Sequence, residues 1–134
     1  MQLQPHSQEA ERLVLGQVLT DNTVIDQIAH YIPDETVFYK EGHRKIWKAM
    51  IDMHRNGASV IDAVTITANI PPNDYEKTPA YYITGLLDEV VTTATAEQYA
   101  KVIYEKWLLR KVIEKSKKVE KVMSADGSDA YNVL

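Results

Sequence analysis

Residues 94–123, ATAEQYAKVIYEKWLLRKVIEKSKKVEKVM, contain neither glycine nor proline. One uninterrupted helix over this stretch would be about 45 Å long at 1.5 Å per residue, which exceeds the width of a 100-residue globular body. Part of the helix must therefore project. The first half carries large apolar residues on several sides, which favours burial. The second half narrows to a single apolar stripe flanked by lysines, which is typical of a helix that packs against one partner helix.

This second half is the candidate interaction surface. We expect its apolar residues to pack against a partner, because exposed apolar stripes mark interfaces. The rim of this surface should consist of Lys111, Lys115 and Lys118, which would set the orientation of the partner more than its affinity. The predicted interface residues are Leu109, Lys111, Val112, Ile113, Lys115, Ser116, Val119 and Met123.

The residues before this stretch predict a series of shorter helices. Ser7 can cap a helix that runs to about Thr20, and Asn56-Gly57 is a plausible stop for the helix over 40–56. Asp62 can cap another helix that continues to Ile70. We therefore predict an all-α fold, with a globular helical subdomain of about five to six helices followed by a long helix that forms the first arm of a helical hairpin.

The predicted boundary lies between residues 93 and 94. Residues 1–93 would form the globular subdomain, and residues 94–134 the long helix with the start of a hairpin. Residues 125–129 read as a turn with a new helix cap, yet few residues follow. We expect the second arm of the hairpin to lie beyond residue 134.

Composition limits the possible functions. The 134 residues are 45% hydrophobic and include no cysteine, which excludes disulfides and thiolate zinc sites. Residues 1–100 hold 7 basic and 14 acidic side chains, whereas residues 101–121 hold 8 basic and 3 acidic ones. The segment 101–121 thus has a net charge of +5. Such a short lysine-rich helix more often presents a solvated face than a nucleic-acid surface, although the second interpretation stays open.

The residues needed for catalysis or metal binding do not occur in suitable patterns. The glycines are too scattered for a phosphate-binding loop. His43 and His54 would lie roughly 16 Å apart on one helix, too far to share a metal ion. Glu9 and Glu11 look like a local charge pattern on an exposed face. We predict no catalytic, cofactor-binding or metal-binding residue in this chain.

Six short blocks follow one another over residues 5–110. They are Pro5-x-Ser7-x-Glu9-Ala10-Glu11 with Val14-Leu15-Gly16; Ile32-Pro33 with Phe38-Tyr39; His43-x-x-Ile46; Gly57 with Val60-Ile61-Asp62-x-Val64-Thr65; Tyr82-Ile83 with Leu86; and Thr93-Ala94-x-Ala96 with Tyr99-Ala100 and Arg110. Their order and spacing resemble the N-terminal domain of bacterial replicative DNA helicases of the DnaB family. The sequence departs from the family at Thr78-Pro79-Ala80-Tyr81, where a Gly-Gly pair is usual, and at Thr95, where asparagine is common.

Residues that form the core or carry these blocks make a second group of site candidates. The group consists of Glu11, Leu15, Gly16, Phe38, His43, Ile46, Met50, Asp62, Tyr82, Leu86, Tyr99 and Arg110. From the apolar stripes and the blocks together, we expect Phe38, Ile46, Trp47, Met50, Leu86 and Tyr99 to form the centre of the globular part.

The resemblance implies a non-catalytic collar domain. Six such domains would assemble as a trimer of dimers through paired hairpins and would recruit primase and sometimes a helicase loader. The ATPase domain, with its ATP and Mg²⁺, would lie beyond residue 134. The start of the chain lacks the features of a signal peptide and no apolar run is long enough to span a bilayer, so we expect a cytoplasmic protein without a membrane partner. The net charge of −4 argues against direct DNA binding by this domain. A helical interaction module unrelated to replication is the alternative.

Overall fold

The computed structural model describes residues 4–125, and within this range the chain forms α-helices and short 3₁₀ turns with no β-strand. The all-α prediction is confirmed. The helices are α1 (Gln8–Thr20), α2 (Val24–Ile28), α3 (Glu41–Arg55), α4 (Ala63–Thr67), α5 (Pro79–Asp88) and α6 (Ala96–Ala125). The 3₁₀ turns are Ala29–Tyr31, Glu35–Val37 and Pro72–Asp74.

The local start and stop signals act as the sequence predicts. The Ser7 side chain accepts a hydrogen bond from the backbone N–H of Ala10 and caps α1. The Asp62 side chain accepts one from Thr65 N–H, and the Thr65 hydroxyl reaches back to form a capping box. Gly57 follows α3 with φ of +76°, a left-handed conformation that glycine adopts without steric cost.

The helix after Asp62 is shorter than predicted. We expected it to reach Ile70, but α4 ends at Thr67. Because Ile70 precedes Pro71, a helical conformation is disfavoured there. The Asn69 side chain instead donates a hydrogen bond to the carbonyl oxygen of Thr65 at 2.7 Å, which satisfies a helix-end acceptor. The predicted turn over 125–129 lies outside the described residues except for Ala125, the last residue of α6.

The core lies where α1 and the first half of α6 pack together with α2, α3 and α5. Of the six residues expected at its centre, Phe38, Ile46, Trp47, Met50 and Leu86 are buried. Tyr99 is only partly buried and packs against the edge of the core. Because the first half of α6 contributes buried residues to the same core, it is integrated with the globular part. The division at residues 93 and 94 stays a prediction.

Gly16 allows α1 and α5 to approach closely. A Cβ atom at this position would lie 2.5 Å from the carbonyl oxygen of Leu86 and 2.8 Å from a methyl carbon of Val90. Backbone cannot retreat from such a contact as a flexible side chain can. Glycine at position 16 therefore sets the distance between the two helices.

Candidate interaction surface

The long helix α6 has two halves with different surroundings. In the first half, Ala96, Ala100 and Ile103 are buried in the core. In the second half, the apolar side chains are largely exposed. The thirty residues of α6 give a length of about 45 Å at 1.5 Å per residue. The helix is thus anchored at one end and projects at the other.

Arg110 lies at the junction between the two halves and ties α6 to the globular part. Its guanidinium donates hydrogen bonds to the carbonyl oxygens of Pro5 at 2.8 Å, Val37 at 2.9 Å and Thr36 at 3.4 Å. It also lies over the ring of Tyr39, 5.4 Å from the centroid. A guanidinium group has five N–H donors in one plane, so it can donate hydrogen bonds to several separate carbonyl groups at once.

Beyond Arg110, one face of α6 carries an apolar stripe that no described residue covers. Val112 is 61% exposed and Met123 is 67% exposed. A shallow groove of about 690 Å³ runs along this face and is lined by Val112, Lys115, Ser116, Val119 and Met123. Exposed Leu108 and Leu109 lie next to it, one turn earlier. We call Leu108, Leu109, Val112, Ser116, Val119 and Met123 the α6 seam.

The structure places one member of the predicted interface on a different face of α6. Ile113 does not line the groove of the α6 seam, because it turns toward the junction with the globular part. Successive helix residues are separated by about 100°, so Ile113 and Val112 necessarily lie on different faces. The sequence pattern grouped them because both are apolar. It does not show which face of α6 borders the globular part.

The lysines predicted at the rim of the interface also lie on different faces of α6. Lys115 lines the groove of the α6 seam. Lys111 instead lies beside Trp107, 5.6 Å from its ring centroid, on the side of Ile113. Lys111 and Lys118 both approach Glu114, at 3.6 Å and 4.0 Å. These pairs are exposed, so each contributes little to stability.

The remaining motif residues build a buried polar cluster between α1, α3 and α5. Both Glu11 and His43 have side chains that are 1% exposed, and His43 Nδ1 lies 2.7 Å from Glu11 Oε1. Glu11 also accepts a hydrogen bond from the backbone N–H of Tyr39 at 2.8 Å. On its other side, the His43 ring is hydrogen bonded through Nε2 to the Tyr82 hydroxyl. Burial raises the pKa of Tyr82 to about 12.

The expectation that Glu11 lies on an exposed face is therefore wrong. The chain from Phe38 to His43 folds back over α1 and encloses the carboxylate, and backbone N–H groups supply hydrogen bonds there. A charged group buried with such partners is stable, whereas an unpaired one would not be. Position 11 within the first turn of α1 gave no signal of this burial.

The two departures from the family pattern are accommodated locally. The Thr78 side chain caps α5 by accepting a hydrogen bond from Tyr81 N–H, and Pro79 occupies the first position of that helix. The Thr95 hydroxyl accepts a hydrogen bond from the Gln17 side chain at 2.9 Å, and the same amide also donates to the carbonyl oxygen of Thr92 at 3.0 Å. Both positions thus make defined contacts.

Among residues 4–125, no group of three or more His, Asp or Glu side chains has an arrangement that could hold a metal ion. His54 pairs with Asp26 at 2.9 Å, and His6 stacks on Tyr39. Within the same range, no helix combines the length and apolar character needed to cross a bilayer.

Comparison with known proteins points to one family. The chain is 35% identical over 114 residues to the replicative DNA helicase DnaC of Bacillus subtilis (strain 168), covering 83% of this chain and 24% of that protein. It is 36% identical over 111 residues to the replicative DNA helicase DnaB of Geobacillus stearothermophilus, covering 81% of this chain and again 24% of the relative. The chain thus spans about a quarter of the length of these relatives.

A solved structure gives the same result for the fold. The crystal structure of the N-terminal domain of DnaB helicase from Mycobacterium tuberculosis superposes with a TM-score of 0.85 and 28% sequence identity. The match covers 98% of this chain and 93% of that one. The family model described as "DnaB-like helicase N terminal domain" matches residues 3–105. The chain therefore belongs to the family of DnaB-like helicase N-terminal domains.

Proposed function

We propose that this chain is the non-catalytic collar domain of a hexameric replicative DNA helicase, which assembles through α6 and recruits primase and, in some settings, a helicase loader. The α6 seam carries the proposal. It is an apolar face on a helix that is firmly anchored at its other end, and such faces gain stability when a partner helix covers them.

In the proposed parent protein, assembly and catalysis would belong to different domains. ATP and Mg²⁺ would bind in a separate ATPase domain, which the curated relatives are long enough to hold, and DNA unwinding would take place there. The collar would act in the cytoplasm as a self-associating platform without a cofactor of its own. Calorimetry with ATP and Mg²⁺ should detect no stoichiometric binding to the 134-residue chain.

Self-association of the chain tests the proposed role of the seam. Val112→Asp together with Val119→Asp places two charges in the groove, and desolvating them on association is unfavourable. Ile113→Asp is the matched control, since it introduces a carboxylate on the same helix but outside the groove. Sedimentation velocity over a concentration series should show association of the wild type and of the control, and monomers of the double variant.

The sedimentation results distinguish which face of α6 carries self-association. If the double variant associates as strongly as the wild type, the seam is not the self-association surface. If Ile113→Asp alone abolishes association, the interface lies on the face toward the globular part instead. Recruitment is tested separately with purified bacterial primase. Binding to the wild-type chain by calorimetry is expected, and its absence would favour an interaction module unrelated to replication.

A further inference from the structure

A second groove lies on the opposite side of α6, at the junction with the segment between α2 and α3. Its volume is about 460 Å³. We call it the basic groove and define it by Tyr39, Arg44, Trp107, Arg110, Lys111 and Lys117, which line it. It is separate from the α6 seam, and its contacts are independent of those proposed for assembly.

The charges of the basic groove are unbalanced. Four of its lining side chains are cationic, and Glu114 is the one acidic residue among them. Glu114 is engaged by Lys111 and Lys118 at 3.6 Å and 4.0 Å. Arg44 forms an ion pair with Glu41 on the same helix, at 3.7 Å. Among the described residues, no carboxylate lies within ion-pair distance of Arg110 or Lys117.

Two guanidinium groups, those of Arg44 and Arg110, line the groove. Burial lowers the pKa of Arg110, the Glu11 carboxylate opposes this shift, and the positive charge of Arg44 adds a smaller decrease. Both groups are also held in place: Arg44 Nε donates to the carbonyl oxygen of Phe38 at 2.7 Å. The groove is thus a fixed region of positive potential that an anion would stabilise.

A buried donor in the wall of the groove has no acceptor. The indole Nε1–H of Trp107 is enclosed and has no hydrogen-bond partner within residues 4–125. Because the Trp107 ring also lines the groove, this N–H lies close to whatever occupies the groove and can report on it. Carboxylate oxygens accept hydrogen bonds from both indole and guanidinium donors.

The aromatic rings of the groove are already occupied. Tyr39 is stacked on His6 with ring centroids 4.0 Å apart, and the Arg110 guanidinium lies over the same ring. Trp107 has the Lys111 ammonium over its ring and Tyr104 at 5.7 Å. Single-stranded nucleic acid is bound largely by stacking bases on free aromatic faces. This arrangement offers few such faces, so the chemistry favours carboxylates over nucleobases.

We infer that the basic groove docks an acidic peptide segment of a partner protein. Aspartate or glutamate side chains of that segment contact Arg44 and Lys117, and the segment lies against Trp107, which lines the groove. The inference rests on the groove alone. Failure of its test leaves the proposed role of the α6 seam unaffected, and the reverse also holds.

Hexaglutamate is a suitable probe for an acidic peptide. Hexathymidylate represents single-stranded nucleic acid, the alternative class of ligand. The ¹⁵N-labelled chain shows one indole N–H resonance for each of Trp47 and Trp107, and Trp107→Phe identifies the second. Hexaglutamate should shift the Trp107 indole resonance saturably. The Trp47 resonance should stay in place, because Trp47 is 1% exposed in the core and reports that the fold is intact.

Charge reversal provides the specificity control. Lys117→Glu, within the groove, should weaken hexaglutamate binding about tenfold or more, which corresponds to about 1.4 kcal/mol. Lys121→Glu changes the net charge equally on an exposed position outside the groove, and binding should change less than about twofold.

Three results would overturn the inference. The first is the absence of a Trp107 shift at millimolar hexaglutamate. The second is equal weakening by Lys117→Glu and Lys121→Glu, which would indicate general charge attraction. The third is a Trp107 shift by hexathymidylate at equal or lower concentration, which would assign the groove to nucleic acid.

Discussion

The ring of His43 and the carboxylate of Glu11 are joined by a 2.7 Å hydrogen bond inside the domain, thirty-two residues apart in the chain. Glu11 lies on α1 and His43 lies on α3, so the bond connects two helices. An ionised carboxylate only accepts hydrogen bonds, so Nδ1 carries the proton. On the other edge of the ring, Nε2 is hydrogen bonded to the Tyr82 hydroxyl, which joins α5 to the other two helices.

Removal of the Glu11 carboxylate should strongly destabilise the domain. Glu11→Ala leaves His43 Nδ1 and the backbone N–H of Tyr39 without acceptors, and loss of one member of a buried pair costs about 3–5 kcal/mol. Urea denaturation followed by circular dichroism measures the change. The neighbouring exposed Glu9→Ala serves as control and should change stability by less than about 0.5 kcal/mol. Equal effects of the two substitutions would contradict the buried-cluster assignment.

Tyr82 should make stability fall at high pH. Its pKa is raised from about 10 in the unfolded chain to about 12 by burial. The folded state therefore keeps its proton when the unfolded state has lost it, and this contribution is full below pH 10 and is lost as pH rises from about 10 to about 12. Tyr82→Phe should show a shallower decline in this window.

Tyr82→Phe should also be less stable at pH 7, because Nε2 of His43 loses its hydrogen-bond partner. Burial raises the pKa of Tyr75 as well, so part of the alkaline decline should persist in the variant. Denaturant midpoints measured from pH 8 to 12 check both statements. Parallel curves for wild type and variant would show that Tyr82 does not contribute to the pH dependence.

Two glycine-to-alanine substitutions should have opposite signs. Gly16→Ala places a Cβ 2.5 Å from the carbonyl oxygen of Leu86 and should destabilise by at least about 1–3 kcal/mol. Gly85→Ala, on the exposed side of α5, meets no atom within 4 Å and should stabilise by about 0.5–1 kcal/mol through reduced chain entropy. Thermal unfolding of both variants tests the pair. A neutral Gly16→Ala would mean that α1 and α5 can separate without cost.

Asp62 should act as a helix cap and not as a chemical group. Asp62→Asn should be nearly neutral at pH 7, because asparagine caps as well as aspartate does, whereas Asp62→Ala should destabilise. The backbone hydrogen bond from Thr65 lowers the pKa of Asp62. The stabilisation by the ionised cap is thus present above pH 4 and is lost as pH falls through the folded-state pKa.

Stability at acidic pH distinguishes the wild type from Asp62→Asn. Between pH 4 and the folded-state pKa, the wild type should lose stability relative to Asp62→Asn, since asparagine does not titrate. Chemical denaturation at pH 7 and at pH 3 measures the difference. If Asp62→Asn folds normally but fails to associate or to bind a partner, an active role for the carboxylate replaces the capping role.

Local signals of the fold were readable from the sequence because they depend on neighbours in the chain. The caps at Ser7 and Asp62, the stop at Gly57 and the long uninterrupted α6 all belong to this class. The end of α4 was missed because the apolar spacing continues to Ile70, whereas Pro71 decides the conformation. Short helices are more sensitive to such single residues than long ones.

Features that depend on residues distant in the chain were not readable. Burial of Glu11 requires the segment from Phe38 to His43 to cross α1, and no local pattern encodes that crossing. Helical periodicity gave the relative angles of Val112 and Ile113 but not which of them borders the body. The basic groove likewise forms only when the fold brings Arg44 and Arg110, distant in sequence, to the same surface.

The position of Arg110 divides α6 into two units of local unfolding. Up to Arg110, the helix cannot open without breaking three hydrogen bonds to carbonyl groups of the globular part and exposing core residues. After Arg110, opening exposes little additional apolar surface. Amide hydrogens of residues 99–110 should therefore exchange with solvent at rates close to those of global unfolding, and those of residues 114–125 orders of magnitude faster. Any partner that covers the α6 seam would slow this second group selectively, so hydrogen exchange would read out association residue by residue.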